Sequence, residues 1–179
     1  MKTSCKGYIA RIVLNRYFLI VVNFILIFII VSSIIELTKL LLTPENDIKE
    51  MLKICTGVAI ILYGYGVSME TRRPLMTHLK IYPQNDSQLQ QLADSLCHKY
   101  GIFTLLLGLV MEILTRLIII PNKVLNTEGK ELYIFAVCLT ILIFVLWLQL
   151  LFSYKLIRLV GTAAKQKEVP SFDEEIKVS

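Results

Sequence analysis

Along this chain, long apolar runs alternate with short stretches in which nearly all the charge collects. Four runs approach or exceed the roughly 20 apolar residues that a helix needs to cross a bilayer: residues 17–42, 54–69, 100–120 and 132–154. The first has no charge before Glu36, and the fourth has none at all. The second is short and needs flanking residues such as Leu52 to complete a crossing. Pro44, Pro74, Pro83, Pro121 and Pro170 all fall outside the four runs. Proline lacks an N–H donor and crowds the preceding turn, so it belongs at helix ends. The pattern predicts an all-α, polytopic membrane protein built as a four-transmembrane-helix bundle. The first run is longer than a signal-peptide core and no small-x-small cleavage site follows it, so it is expected to persist as an anchor.

Composition agrees with the pattern. Apolar residues make up 55% of the chain and charged ones 18%, which excludes disorder. The basic residues are unevenly placed. Lys2, Lys6, Arg11 and Arg16 lie in the N-terminal segment 1–16, and Arg72, Arg73, Lys80 and Lys99 in the middle loop 70–99. Lys155, Arg158, Lys165, Lys167 and Lys177 lie in the tail 155–179. The other two loops hold only Lys49, Lys53, Lys123 and Lys130. By the positive-inside rule, both termini and the middle loop are cytoplasmic, as an even number of spans requires. The net charge of +5 then fits anionic headgroups at the cytoplasmic face, each basic residue near the surface contributing about 1 kcal/mol. No basic face interleaved with aromatic or groove-fitting elements is visible, so nucleic acid is not an expected partner.

The middle loop has its own pattern. Leu75, Met76 and Leu79 after Pro74 suit a short helix, and Leu89, Leu92, Ala93 and Leu96 recur at helical spacing. Asn85 or Asp86 is placed to cap the second helix, which is expected to run on into the third span. It is either an interfacial packing helix or a docking site for a cytoplasmic protein.

Span three sets Glu112 and Arg116 four residues apart within "LVMEILTRLIII", where they share a helix face. Each central charge costs roughly 2.5–3.5 kcal/mol and each large aliphatic returns about 0.3–0.6, so this span is marginal alone. Counting from a cytoplasmic start at Tyr100, Glu112 is expected near mid-depth with Arg116 a turn nearer the outside. The charged face is expected to turn inward, so that Arg116 lies inside the bundle, paired to Glu112 or Glu36. Glu36, late in span one, is expected at the depth of Arg116, with Lys39 a turn beyond. A guanidinium can donate to two carboxylates, so Glu36, Glu112 and Arg116 form a candidate cluster. It is either a structural clasp or an ion- or substrate-binding site.

Other features are fainter. Gly57 and Gly64, and Gly101 and Gly108, are seven apart on their helices and suit close approach of spans two and three. The "YGYG" at Tyr63 to Gly66 lies in an apolar run, unlike the exposed carbonyls of a potassium filter. Cys55 and Cys138 both fall near the outer ends of their spans, where packing is the default role and a disulfide the alternative. His78 and His98 are the only histidines and both fall on the cytoplasmic side, so neither a haem nor a metal site is expected. With no nucleotide loop, hydrolase elbow or zinc-protease motif, no enzyme and no cofactor is expected.

The segment "RLIIIPNK" at residues 116–123, followed by the last span and "SYKLIRL", resembles the C-terminal half of the bacterial phosphate-starvation-inducible protein E (PsiE) family. An acidic residue late in span one, Glu36, followed by "LLLTPEND", is similar to its first half. The chain departs from the family in a longer loop between Arg72 and Lys99. The resemblance implies four spans with cytoplasmic ends, a bacterial inner-membrane location and a link to phosphate limitation or stress. The expectation is therefore a non-enzymatic inner-membrane protein with a regulatory role. The alternative is a small homo-oligomeric transporter or channel that uses the Glu–Arg cluster.

Overall fold

The computed structural model describes residues 16–43, 47–78, 88–119 and 129–168. Four helices account for nearly all of them: α1 (Arg16–Leu42), α2 (Ile48–His78), α3 (Gln88–Ile119) and α4 (Glu131–Glu168). No strand occurs among the described residues. All four helices are long and apolar enough to cross a membrane, and they pack as an up-down-up-down bundle. This is the architecture of a multi-pass membrane protein.

The helices are longer than the apolar runs alone suggest. At the start of α2, Asp47 Oδ1 accepts from the backbone N–H groups of Lys49 and Glu50 at 3.1 and 3.2 Å, an N-cap that satisfies donors left over at a helix start. At its other end α2 continues through Pro74 to His78, where the sequence suggested a break. An interior proline costs about 3 kcal/mol. Continuation is favoured by what the last turns bury against α3: Met76, Met69 and, unexpectedly, Arg72. Residues 88–99, counted with the middle loop in the sequence, form the opening of α3 and enter its apolar run unbroken. Asn85 and Asp86 lie outside the described residues.

Which face of each helix turns inward follows a three-four spacing. On α4 the buried positions include Phe135, Cys138, Leu142, Val145, Gln149, Phe152 and Leu156. On α2 they include Met51, Cys55, Val58, Leu62, Met69, Arg72 and Met76. Repeats of this kind produce the small left-handed crossing angles of coiled-coil-like bundles. Because the lipid-facing sides are just as apolar, the inward stripe has no hydrophobic contrast in the sequence.

Neighbours in the bundle are α1–α4, α4–α3, α3–α2 and, more thinly, α2–α1, while α1 and α3 stand on a diagonal and barely touch. The tightest interface is α2–α3. A Cβ added at Gly66 would sit 2.6 Å from the Leu105 backbone N. One at Gly101 would lie 2.8 Å from Met69 Cβ, and one at Gly108 2.8 Å from the Tyr63 backbone N. Gly101 and Gly108 thus do make a close approach, but their glycine counterpart on α2 is Gly66. Gly57 and Gly64 have no atom within 4 Å of such a Cβ.

Candidate functional site

Charged residues form two belts. On α2 nothing between Lys53 and Glu70 is charged, a helical distance of roughly 26 Å. On α3, Lys99 and Arg116 are separated by roughly the same distance, with Glu112 the one charged residue between them. The belts match the ends of a hydrocarbon layer about 30 Å thick. They define a terminal end, where α1 starts and α4 finishes, and an opposite loop end.

The sequence-predicted cluster divides between two helices. Glu112 and Arg116 meet, with Arg116 Nε donating to Glu112 Oε1 at 2.7 Å. Glu36 instead lies 3.6 Å from Lys39 on its own helix, both side chains exposed. The diagonal placement of α1 and α3 keeps Glu36 away from Arg116. Nor is Arg116 inside the bundle: its side chain is 60% exposed and that of Glu112 24%. The inward face of α3 belongs to Gly101, Thr104, Gly108, Met111 and Thr115, and a single residue step turns Arg116 by about 100° from Thr115. Depth differs as well. Arg116 lies level with the loop-end belt and Glu112 roughly 6 Å inside it, short of the middle of the membrane.

The interior carries charge elsewhere. Near the terminal end, Arg72 Nη1 of α2 donates to Asp94 Oδ1 of α3 at 2.6 Å, with side chains 3% and 4% exposed. Cys97 Sγ lies 3.8 Å from the same nitrogen. In the sequence Arg72 counts as one more cytoplasmic-side charge, and its partner is 22 residues away. The signal that marks it is register: Arg72 occupies the stripe of Met69 and Met76, and Asp94 adjoins Ala93 and Cys97. Beside this pair opens a cavity of about 380 Å³ between the end of α2 and the start of α3. Its walls include Glu70, Arg73, Ser95 and His98, over a floor containing Met69 and Cys97. His98 Nδ1 lies 2.7 Å from Glu70 Oε2, although that oxygen accepts no well-aligned hydrogen bond. The contact is thus one of proximity and not a well-aligned hydrogen bond.

Deeper in, an uncharged polar layer crosses all four helices. Asn23 Nδ2 donates to Ser153 Oγ and to the Gln149 carbonyl, while Tyr65 donates its hydroxyl to Asn23 Oδ1 at 3.0 Å. Gln149 Nε2 donates to Thr104 Oγ1 at 2.9 Å, and Thr104 donates to the Tyr100 carbonyl. This layer separates two apolar ones. Leu19, Met69, Tyr100, Phe152 and Leu156 pack on the terminal side, with Leu26, Ile30, Leu62, Phe135 and Leu142 among those on the loop side. The sequence offered a sign of it, since a lone Asn in span one and a lone Gln in span four both fall on the buried spacing.

Cys55 and Cys138, on α2 and α4, are free thiols with no exposed surface. No group of three or more His, Cys, Asp or Glu side chains placed to hold a metal ion occurs among the described residues. Among the described residues, the Arg72–Asp94 cavity combines buried charge with open space. Compared with family models, curated proteins and solved structures, the chain matches none.

Proposed function

We propose that this is a non-enzymatic protein of a bacterial inner membrane, with both termini cytoplasmic, that responds to a small anion at the cytoplasmic cavity between α2 and α3. The observation that carries the proposal is the Arg72–Asp94 pair, held almost wholly out of solvent at the wall of that cavity. Two charges taken from water at a helix–helix contact make the relative position of α2 and α3 sensitive to a third charge. Arg73 adds positive potential at the rim, where His98 faces Glu70. A doubly charged oxyanion such as phosphate suits this arrangement, and it agrees with the resemblance of "RLIIIPNK" and its surroundings to a phosphate-starvation family. The cavity lies at the base of the middle loop, which makes a cytoplasmic protein the natural recipient of a change there.

The clustering of basic residues at the terminal end supports the orientation. The packed interior argues against a path through one copy, because Phe135, Leu142, Val145 and Phe152 on the inward face of α4 are themselves fully buried. The second reading, a homo-oligomeric transporter or channel, draws its support from the outward position of Glu112 and Arg116, which would line a path shared between copies.

The test is the thermal stability of the purified protein in inorganic phosphate, sulfate or chloride, for wild type and Arg73→Gln. A ligand at 100 times its Kd stabilises the folded state by about 2.7 kcal/mol. Phosphate is expected to raise the wild-type melting temperature above the chloride value, and Arg73→Gln to reduce that rise. Equal melting temperatures in all three salts would remove the anion reading.

A further inference from the structure

The Glu112–Arg116 pair stands on the outside of the bundle, and that position needs a partner. On α3 each Cα–Cβ bond tilts toward the helix N-terminus, so Arg116 leans back into the membrane toward Glu112 and not outward to water. Its Nε is engaged by Glu112 Oε1, while most of the guanidinium faces away from the protein. Glu112 Oε2 is shielded from solvent and has no hydrogen-bond partner. Each chain therefore presents open Arg116 donors beside a partly exposed carboxylate, in a region where unsatisfied polar groups are costly.

The surrounding surface is shaped for another helix. A groove of about 310 Å³ runs between α2 and α3 beside the pair, with Ala59 in its wall and Ile60, Tyr63 and Leu109 exposed along it. Across Ile60 from the groove, Gly57 and Gly64 are exposed on α2 with open space above them, so a neighbouring backbone can come close.

We propose that this face is the contact between two copies of the chain, arranged about a two-fold axis along the membrane normal. The argument for a second copy is charge complementarity. In a two-fold contact, what residue i does to j, j does to i, so the open donors of Arg116 in each copy face the partly exposed Glu112 carboxylate of the other. The four charges then alternate in sign and sum to zero. A lipid phosphate at the same place would satisfy Arg116 but face the Glu112 carboxylate. The interface is independent of the anion cavity, which lies at the opposite end of α3, so failure of either proposal leaves the other standing.

The experiment counts copies by single-molecule photobleaching of the full chain carrying a C-terminal fluorescent protein, in vesicles of phosphatidylethanolamine and phosphatidylglycerol. Wild type is expected to bleach in two steps at densities where chance co-capture is negligible. Arg116→Gln and Glu112→Gln, which are expected to fold, should each dissociate at protein densities higher by about tenfold or more. The deciding arm mixes Glu112→Arg copies with Arg116→Glu copies. Each carries two like charges, so neither pairs with itself, whereas the mixture sets opposite charges against each other across the interface and should give mainly mixed dimers. Mixed dimers cannot arise from a pair that acts only within its own helix. A monomeric wild type would overturn the proposal, as would dimers indifferent to all four substitutions, assemblies of three or more copies, or folded charge variants that fail to combine. A monomer stabilised by phosphatidylglycerol would assign the groove to lipid instead.

Discussion

Two arginine–carboxylate pairs lie on the same two helices, and they could hardly be held more differently. Glu112 and Arg116 are four apart on α3 and joined at 2.7 Å, with Arg116 largely exposed on the outer face and Glu112 partly so. Arg72 and Asp94 belong to different helices, are joined at 2.6 Å and are almost completely buried. The first pair forms wherever the helix forms, because its geometry is local. The second exists only if α2 and α3 pack in one register, and once formed it penalises every other register with an unpaired buried charge. The comparison teaches that visibility in sequence and consequence in structure run in opposite directions here. The conspicuous pair leaves the bundle's interior untouched, and the inconspicuous one locks two helices.

The largest expected effect comes from breaking the buried pair. Asp94→Ala leaves Arg72 uncompensated and should cost about 3–5 kcal/mol, measured by denaturant unfolding in micelles. Replacing both partners, Arg72→Met with Asp94→Leu, should recover most of that loss or exceed it, since an apolar pair of similar volume avoids the desolvation cost. If the double replacement is as damaging as the single one, the pair has a role other than fixing the register.

Glycines sharpen the comparison at intermediate size. Gly108→Ala places a methyl 2.8 Å from the Tyr63 backbone N and 3.1 Å from the Ala59 carbonyl oxygen, so it should cost about 1–3 kcal/mol. Gly64→Ala meets nothing within 4 Å and should be neutral, or stabilising by up to about 1 kcal/mol through helix propensity. The same unfolding assay separates them. A large loss at Gly64 would mean that its open face is occupied.

The polar layer should matter less than its burial suggests. Gln149→Leu removes the donor to Thr104, and such interhelical bonds contribute about 0.6 kcal/mol on average in membrane bundles, with a maximum near 1.7. Smallest of all, Arg116→Gln removes a half-exposed pair within one helix and should change the unfolding of the isolated monomer by about 0.2–0.5 kcal/mol. A loss from Arg116→Gln comparable to that from Asp94→Ala, measured in detergent excess, would reverse the comparison.

Part of the fold was legible because membranes impose it. Without water to satisfy backbone groups, an apolar run of sufficient length has few options other than a helix, so the count of four and the all-helical class followed from the runs alone. Helix ends were less accessible. Pro74 signals a stop by local rules, yet α2 passes through it because Arg72 and Met76 gain partners on α3. The contact between Glu112 and Arg116 was legible, being a matter of helical pitch. Their outward position was not, nor was the separation of Glu36 from Arg116. Both depend on which face of α3 turns inward and on which helices are diagonal, and spans that are apolar all round carry no hydrophobic contrast to decide either.

By itself, then, the sequence determined that this chain makes four membrane-length helices, where their charges gather and which charges pair within a turn. Tertiary structure alone decided that Gly66, Gly101 and Gly108 bring α2 and α3 together and that Asn23, Tyr65, Thr104 and Gln149 share one polar layer. It also decided that Arg72 is buried against Asp94 while Arg116 faces outward. The physical reason is one of range. Helix formation in a bilayer is settled by backbone hydrogen bonds within four residues and by local hydrophobicity, whereas the choice among helix faces rests on steric fit and polar pairing between segments far apart in the chain.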